Sequence, residues 1–250
     1  PAGAGKSTIA KIVAKELGFI YVDTGSMYRT MALSCYRAGI KADEEEKVVA
    51  KCREAEISIR YENGVQKMKL NNEDVSGEIR QEVIGNMTSA IAVYGPVRER
   101  LVEMQRDIAS KNNVVMDGRD IATAVLPNAD LKIYLTASSK TRAERRYNEL
   151  LEKGVDCNIE DIEKDIKDRD YRDMNREISP LKKADDAVLI DSSNMNIEEV
   201  VNKMMDEIGV VASVIGNHEY DLGRNNLRNL SNQVNFKFVA SNLIDEETGS

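Results

Sequence analysis

Two continuous apolar runs constrain the fold of this chain more than any other feature. They are VVMD at 114–117 and LKIYLTA at 131–137. A strand with one solvated face alternates apolar and polar residues, whereas a strand covered on both faces of a parallel sheet is apolar throughout. Shorter runs of this kind occur at 19–23 and 187–191, and helical periodicity fills the segments between them. Strands that alternate with helices predict a three-layer α/β domain with a parallel sheet.

The segments between the strands divide into helices and one hairpin. Residues 1–17 open with a glycine-rich turn that leads into a helix, and a second turn is expected at Thr24–Gly25. Two alternating runs within 57–75, separated by Asn63-Gly64, predict a β-hairpin. Helical periodicity predicts further helices at about 27–38, 43–54, 78–92, 96–110, 139–176 with a break near 154–158, and 197–208.

The composition narrows the functional classes. The chain has 250 residues, 42% of them hydrophobic, with 35 basic and 43 acidic side chains and a net charge of −8. This balance excludes a disordered chain and disfavours a general binder of nucleic acid or anionic membrane. No apolar run reaches the length of a spanning helix, and no leader is visible. One histidine and three scattered cysteines disfavour a zinc site and disulfides, so we expect a cytoplasmic protein.

The first eight residues carry a phosphate-binding motif. PAGAGKST matches the second half of G-x-x-x-x-G-K-[ST], and the first glycine and the strand expected before it would precede Pro1. Successive backbone N–H groups in such a loop point at phosphate oxygens, and the following helix adds the positive end of its dipole. Lys6 would bridge the β- and γ-phosphates of ATP, and the Ser7 hydroxyl would hold Mg²⁺.

Arginines are placed where they could serve phosphates. VVMD continues as Gly118-Arg119-Asp120, which puts Arg119 at the carboxyl end of a parallel strand, where α/β folds bind ligands. A helical series of three arginines at i, i+3 and i+7 could close over a phosphate chain, although solvated helix faces also carry such residues. The candidate arginines are Arg29, Arg98, Arg119, Arg169, Arg172 and Arg176.

Five stretches together resemble the bacterial cytidylate kinase family, which comprises P-loop nucleoside monophosphate kinases that act on CMP and dCMP. The stretches are PAGAGKST, YVDTGSMYR, VMDGRDIAT, LPNADLKIYLTAS and RDYRDMNREISPL, in the order and spacing of the family. The resemblance covers residues 1 to about 208, and the 57–75 hairpin is similar to an insert of that family. It implies a P-loop fold with an acceptor-binding region at about 25–110, a lid at about 145–178, and Mg²⁺ with ATP. The sequence shows no clear oligomerisation seam, so we expect a monomer.

The resemblance also implies roles for individual residues. The ATP phosphates would bind the loop residues Gly3, Ala4, Gly5, Lys6, Ser7 and Thr8. The acceptor nucleotide would bind Thr24, Arg98 and Asp120 through its base, Arg29, Arg119 and Arg169 through its phosphate, and Ser89 and Asp173 through its pentose. Catalysis would rest on the cations Lys6, Arg119, Arg169 and Arg176, with Arg172 assisting. Phosphoryl transfer needs positioning and cationic neutralisation rather than a covalent nucleophile, so no catalytic histidine or cysteine is expected.

The last forty residues have a different character. GNHEYD at 216–221 and FKFVASNL at 236–243 resemble the 5′-nucleotidase branch of metallophosphoesterases. In that family Asn217 would ligate a metal, and His218 with Asp221 would stabilise the transition state. A dinuclear site needs further histidine ligands, and this chain has one histidine. We interpret residues 209–250 as a fragment joined to the kinase-like part rather than as an independent domain.

Three other functions stay open on the sequence alone. One is a nucleotide-binding protein without kinase activity, because the first loop glycine and first strand would precede Pro1. A metal-dependent phosphoesterase and a kinase for another small acceptor are the others. The sequence does not rank CMP, dCMP and UMP as acceptors.

Overall fold

The computed structural model describes residues 1, 3–62, 65–175, 179–209, 212–214 and 237–239. Helices and strands alternate along most of this part of the chain. The helices are α1 Lys6–Leu17, α2 Thr24–Arg37, α3 Glu45–Glu54, α4 Glu82–Ile91, α5 Gly95–Lys111, α6 Ser139–Glu152, α7 Ile159–Met174 and α8 Ile197–Ile208. The strands are β1 Ile20–Asp23, β2 Ile57–Glu62, β3 Val65–Leu70, β4 Glu73–Asp74, β5 Val114–Asp117, β6 Ile133–Thr136, β7 Val188–Asp191, β8 Ala212–Val214 and β9 Lys237–Val239.

The apolar runs form parallel strands, as their composition predicts. β1 pairs with β5 from Ile20↔Val114 to Asp23↔Asp117, and β6 pairs with β7. Within the described residues these two parallel pairs are not hydrogen-bonded to each other. Each pair ends with an aspartate or threonine at its carboxyl edge. The expectation of a strand before Pro1 is not tested by these residues.

The 57–75 segment is a hairpin. β2 and β3 run antiparallel in register from Ile57↔Leu70 to Glu62↔Val65, and β4 adds a short third strand. Asn63 and Gly64, which predict the turn, lie outside the described residues. The hairpin therefore forms a small antiparallel sheet that packs against α2, α4 and α5.

Two hydrophobic clusters hold these layers together. The larger one unites α2, α4, α5 and the hairpin, with Met31, Ile84 and Leu101 fully buried. The second packs Ile9 and Val13 of α1 against β6, β7 and α8. Helix α1, which follows the phosphate-binding motif, is thereby fixed against the parallel strands.

Helix α2 begins earlier than the sequence predicts. Thr24 and Gly25, expected as a turn before a helix at residue 27, occupy the first turn of α2. The Asp23 carboxylate caps this end by accepting from the Ser26 backbone N–H at 3.0 Å and from the Ser26 hydroxyl at 2.7 Å. A cap supplied by the last strand residue lets the helix start directly after the strand.

Two local breaks also depart from the predicted helices. The predicted 78–92 helix is divided into a short 3₁₀ turn at Glu78–Arg80 and α4, because Gln81 adopts an extended backbone with ψ of 147°. A wide helical turn at Ile121–Val125 follows the GRD sequence and was not predicted. Five residues are too few for hydrophobic periodicity to reveal a helix.

The chain after residue 209 is described only at 212–214 and 237–239, which pair as parallel strands. Asn217, His218 and Asp221 lie outside the described residues. Over the described ranges, no helix combines the length and apolar character needed to cross a membrane.

Candidate active site

The phosphate loop is shaped by two left-handed glycines. Gly3 has φ of 71° and Gly5 has φ of 81°, a region that glycine enters without a steric penalty. Gly5 is the N-cap of α1 and provides no side chain, so the first N–H groups of the helix remain available to an anion. Ala4 is fully buried, whereas Ser7 and Thr8 are exposed. The predicted loop residues thus form one anion-binding turn.

Lys6 extends back across this loop. Its Nζ donates to the Pro1 carbonyl at 2.5 Å. Desolvation, followed by the positive charge of Arg119, lowers the pKa of Lys6 to about 8. An anionic phosphate in the loop would reverse the second of these effects.

Predicted cations from distant parts of the chain meet at the loop. The charges of Arg119 and Arg169 both act on Lys6. The pKa of Arg169 is lowered by desolvation and then by Arg119, with a smaller effect from Arg29. Arg119 has Asp173 as a counterion, and Asp117 and Asp170 raise the pKa of Lys6, but the repulsion among the cations leaves the cluster suited to a polyanion.

A buried aspartate connects the loop to the parallel strands. Asp117, the last residue of β5, accepts from the Ser7 hydroxyl at 2.7 Å and from the Tyr21 hydroxyl at 2.9 Å. Desolvation raises the pKa of Asp117, and these two hydrogen bonds oppose that rise. The sequence analysis assigned no role to Asp117 or Tyr21. The signal available was the position of Asp117 at the carboxyl end of a parallel strand.

The predicted base-reading residues contact one another. Arg98 of α5 forms an ion pair with Asp120, and the two side chains are 7% and 13% exposed. The Arg98 guanidinium also lies 5.9 Å from the centroid of the Tyr28 ring. A buried guanidinium beside a largely buried carboxylate offers hydrogen-bond donors and acceptors together in one place.

Thr24 lies at the start of α2, against the end of β5. Its hydroxyl donates to the Asp117 carbonyl at 2.8 Å. Gly118 makes room for the contact, because a Cβ at that position would lie 2.5 Å from the Thr24 Oγ1 and 2.7 Å from Ile121 Cδ1. The glycine of the GRD sequence is therefore required by packing.

The predicted phosphate-binding Arg29 is held against α4. Its Nη1 donates to the Ile79 carbonyl at 2.9 Å, and a Cβ on Gly85 would lie 3.1 Å from its Nη2. Ser89, one helical turn beyond Gly85, is exposed, and its hydroxyl is 3.3 Å from the Gly85 carbonyl. Arg29 and Ser89 thus line the same face of α4.

The predicted lid residues differ in their surroundings. Asp173 of α7 is 3% exposed and forms an ion pair with Arg119, which ties the lid helix to the end of β5. Arg172 is exposed and its Nε lies 3.3 Å from the Asp168 carbonyl. Arg176 lies outside the described residues.

A second ion pair joins α6 and α7, and sequence reasoning missed it. Arg142 of α6 donates to Asp170 of α7 at 2.6 Å and to the Ala137 carbonyl at 2.9 Å. Gly3 lies beside Arg142, since a Cβ on Gly3 would come within 3.7 Å of the Arg142 Cβ. The two helices are therefore joined directly beside the phosphate-binding motif.

The oxygen atoms at this site suit Mg²⁺, which keeps water and phosphate ligands, better than a metal bound entirely by protein side chains. No group of three histidine, cysteine, aspartate or glutamate side chains that could hold a metal occurs in the described ranges. Ser7 and Asp117 supply hard oxygen atoms beside the loop. Mg²⁺ prefers a few such oxygens together with water and substrate phosphates.

Known proteins similar to this chain share one description. The sequence model of the cytidylate kinase family matches residues 1–209. A cytidylate kinase of Lactobacillus johnsonii is 47% identical over 208 residues, which are 83% of this chain and 90% of the relative. A cytidylate kinase of Caldicellulosiruptor saccharolyticus is 46% identical over 217 residues, which are 87% of this chain and 95% of that relative. The matched region contains the phosphate loop, the arginine–aspartate pair and the converging cations. This chain belongs to the cytidylate kinase family.

Proposed function

We propose that this protein transfers the γ-phosphoryl group of ATP to CMP and dCMP, giving ADP and CDP or dCDP. The observation that carries the proposal is the buried Arg98–Asp120 pair beside a cation cluster at a phosphate loop. The cations suit two phosphorylated substrates, and the pair suits a base with adjacent donors and acceptors. The names of the curated relatives support the same activity.

The donor nucleotide would be bound by the phosphate loop. The residues from Gly3 to Thr8 would contact the ATP phosphates, with backbone N–H groups as donors and Lys6 as the cation. The Ser7 hydroxyl would hold the Mg²⁺ that binds with ATP, and that ion would supply further neutralisation of phosphate charge. Neutralisation of the negative charge on the phosphate chain is the main way in which the site would stabilise the transition state.

The acceptor nucleotide would be bound by side chains from several elements. Arg98 donates to the cytosine N3 and O2 edge, Asp120 accepts from the N4 amino group, and Thr24 contacts the same edge. Arg29, Arg119 and Arg169 hold the acceptor phosphate. Ser89 and Asp173 hold the pentose hydroxyls.

The lid would bring the remaining charges and exclude water. Arg169 and Arg176 would bridge the donor and acceptor phosphates, and Arg172 would assist. Exclusion of water prevents transfer of the phosphoryl group to water instead of to the acceptor. The acceptor phosphate is already an anionic nucleophile, so no strong base is needed.

The test is a coupled assay of ADP release with Mg²⁺-ATP and each of CMP, dCMP, UMP and AMP. The proposal requires turnover with CMP and dCMP well above UMP and AMP. Protection by Mg²⁺-ATP against thermal unfolding without turnover on CMP would instead favour an inactive nucleotide-binding protein. Equal turnover with all four acceptors would contradict the assignment of Arg98 and Asp120 to cytosine.

Three further expectations belong to this proposal. We expect a monomer, a cytoplasmic location, and no nucleic acid or membrane partner. Size-exclusion chromatography with light scattering, which measures mass in solution, tests the first. Dimerisation at micromolar protein would contradict it.

The tail resembling a metallophosphoesterase is proposed to add no hydrolase activity. The chain has a single histidine, His218, whereas a dinuclear site needs several. Mn²⁺-dependent release of inorganic phosphate from nucleotides would overturn this view.

A further inference from the structure

Tyr21 is a buried tyrosine whose hydroxyl reaches the site from a neighbouring strand. It is 4% exposed, and its hydroxyl donates to Asp117 Oδ1 at 2.9 Å. The other oxygen of the same carboxylate, Oδ2, accepts from the Ser7 hydroxyl at 2.7 Å. Each oxygen of the carboxylate therefore has a donor of its own.

We propose that Tyr21 is a positioning residue that fixes the Asp117 carboxylate, and that Asp117 in turn orients the Ser7 hydroxyl toward the metal bound with ATP. The inference rests on the proposed function, because it assigns Ser7 to the metal. Tyr21 touches neither nucleotide in this arrangement. It acts only through Asp117.

The geometry explains why the orientation of Asp117 matters. A serine hydroxyl has one proton and two lone pairs. When the proton points at Asp117 Oδ2, the lone pairs are free to face a cation. A carboxylate held at one oxygen cannot rotate away from the serine, so the Tyr21 hydroxyl keeps Oδ2 directed at Ser7. Groups that orient metal ligands in this way tune the affinity of the metal.

Tyr21 is itself held on three sides. Its side chain packs against Ala10 and Ala14 of α1, the helix that carries the phosphate loop. The Lys11 ammonium lies 5.5 Å from the centroid of its ring. Its backbone carbonyl accepts from the Tyr61 hydroxyl of the hairpin at 2.6 Å. A tyrosine fixed in this way can hold a carboxylate with little loss of conformational entropy.

A Tyr21→Phe variant removes the hydroxyl and keeps the ring. We expect the Mg²⁺ concentration that gives half-maximal turnover at saturating ATP and CMP to rise by about three- to tenfold. Such an increase is small among the effects of groups that hydrogen-bond to a metal ligand. Tyr94→Phe is the matched control, because Tyr94 also donates one hydroxyl hydrogen bond, to the backbone carbonyl of Ala42 at 2.7 Å rather than to a carboxylate. The control should leave the Mg²⁺ dependence unchanged.

Thermal unfolding gives a readout that is independent of turnover. ATP with EDTA should protect wild type and Tyr21→Phe equally, whereas the additional protection from Mg²⁺ should be smaller in the variant. A purely structural tyrosine would lower the unfolding temperature of the free protein and leave the Mg²⁺ increment unchanged. An unchanged increment together with an unchanged Mg²⁺ dependence would overturn the inference.

A double-mutant cycle with Asp117→Asn tests the route through the carboxylate. Asp117→Asn alone should raise the Mg²⁺ requirement, and adding Tyr21→Phe should then change it little further. Additive effects would show that Tyr21 does not act through Asp117, and a normal Mg²⁺ requirement in Asp117→Asn would overturn the inference even if Tyr21→Phe failed to fold. If wild type showed no turnover on CMP, the proposed function would fail, whereas active wild type with an unaffected Tyr21→Phe would refute only the inference.

Discussion

The two sides of the candidate active site use different chemical groups to bind their ligands. On the ATP side, the loop from Gly3 to Gly5 and the first turn of α1 present backbone N–H groups, and one lysine supplies the charge. On the proposed acceptor side, side chains come from α2, α5, α7 and the GRD turn, and two charged pairs form among them. Arg98 pairs with Asp120, and Arg119 pairs with Asp173.

This difference separates affinity for phosphate from selectivity for a base. Backbone donors recognise any phosphate chain, because every residue type carries the same N–H group. Paired side chains recognise a particular edge, since a ligand must replace the partner of each group with equal hydrogen bonding. We therefore expect donor-side changes to affect all acceptors alike and acceptor-side changes to depend on the base.

The largest effect is expected from Lys6→Met, which removes the only side-chain charge of the loop itself. We expect kcat to fall by about 10³-fold or more with every acceptor, because cationic groups on the transferred phosphoryl carry most of the catalysis. The thermal midpoint should not fall, since desolvation already disfavours the charged form of Lys6. Steady-state kinetics and thermal unfolding measure both quantities. A variant that kept a tenth of wild-type kcat would break the comparison on the donor side.

Disruption of the Arg98–Asp120 pair should be the next largest effect. Arg98→Ala leaves the buried Asp120 carboxylate without its guanidinium, and such losses cost about 3 kcal/mol of stability. We expect kcat/KM for CMP to fall by about 10²-fold, equivalent to roughly 2.7 kcal/mol. Urea unfolding and acceptor-dependent kinetics measure these effects.

The double variant Arg98→Leu/Asp120→Leu is the control for that measurement. Replacement of both charges by apolar side chains should restore stability without restoring turnover on CMP. If Arg98→Ala proved as stable as wild type, the pair would contribute nothing to the fold. If its loss of activity were equal for CMP and AMP, the base-reading role would be wrong.

A smaller effect is expected from Gly118→Ala. The new Cβ would meet the Thr24 hydroxyl oxygen at 2.5 Å, so Thr24 must leave the Asp117 carbonyl. Overpacking of this kind costs about 1–3 kcal/mol, and we expect KM for CMP to rise about tenfold while KM for ATP stays unchanged. Gly77→Ala is the matched control, because a Cβ at that position meets no atom within 4 Å. Equal KM changes for both substrates would refute the assignment of Thr24 to the acceptor side.

The smallest effect is expected outside the site, at Arg37. Its guanidinium bonds Glu73 at 2.6 Å and also Glu78, and the hydrogen bond from Arg37 lowers the pKa of Glu73. A carboxylate whose pKa is lower in the folded state stabilises the fold above its ordinary pKa and loses that contribution as the pH falls through the folded value. Arg37→Gln should therefore lower the thermal midpoint slightly at pH 7, and the difference from wild type should shrink as the pH falls below the ordinary pKa of glutamate, with turnover unchanged. A difference that stayed constant as the pH fell would show that packing, rather than charge, is lost.

The sequence predicts those parts of the molecule whose structure is determined by neighbouring residues in the chain. The phosphate loop is encoded by consecutive residues of one motif. The VVMD strand is indicated by three consecutive apolar residues that end at an aspartate. Both could therefore be predicted without a structure. The start of α2 was missed because the Asp23 cap depends on where β1 ends. The candidate site residues were assigned mostly through family motifs, which are recognised from local sequence and give no information about contacts.

The contacts between those residues could not be predicted. Arg98 and Asp120 are 22 positions apart, and Tyr21 and Asp117 are 96 apart. Only the register of β1 against β5 and the packing of α5 bring such pairs together. The role of Tyr21 is visible only after the strands are paired, because its side chain alone predicts no more than a buried strand residue.

The Arg98–Asp120 pair also bears on how the enzyme recycles. In the proposed function, cytosine must separate these two charges, which already satisfy each other, and part of its binding energy is spent on that exchange. The same pair would re-form when the diphosphate product departs, and its re-formation would favour departure. The proposal therefore expects weaker retention of CDP than side chains without partners would give.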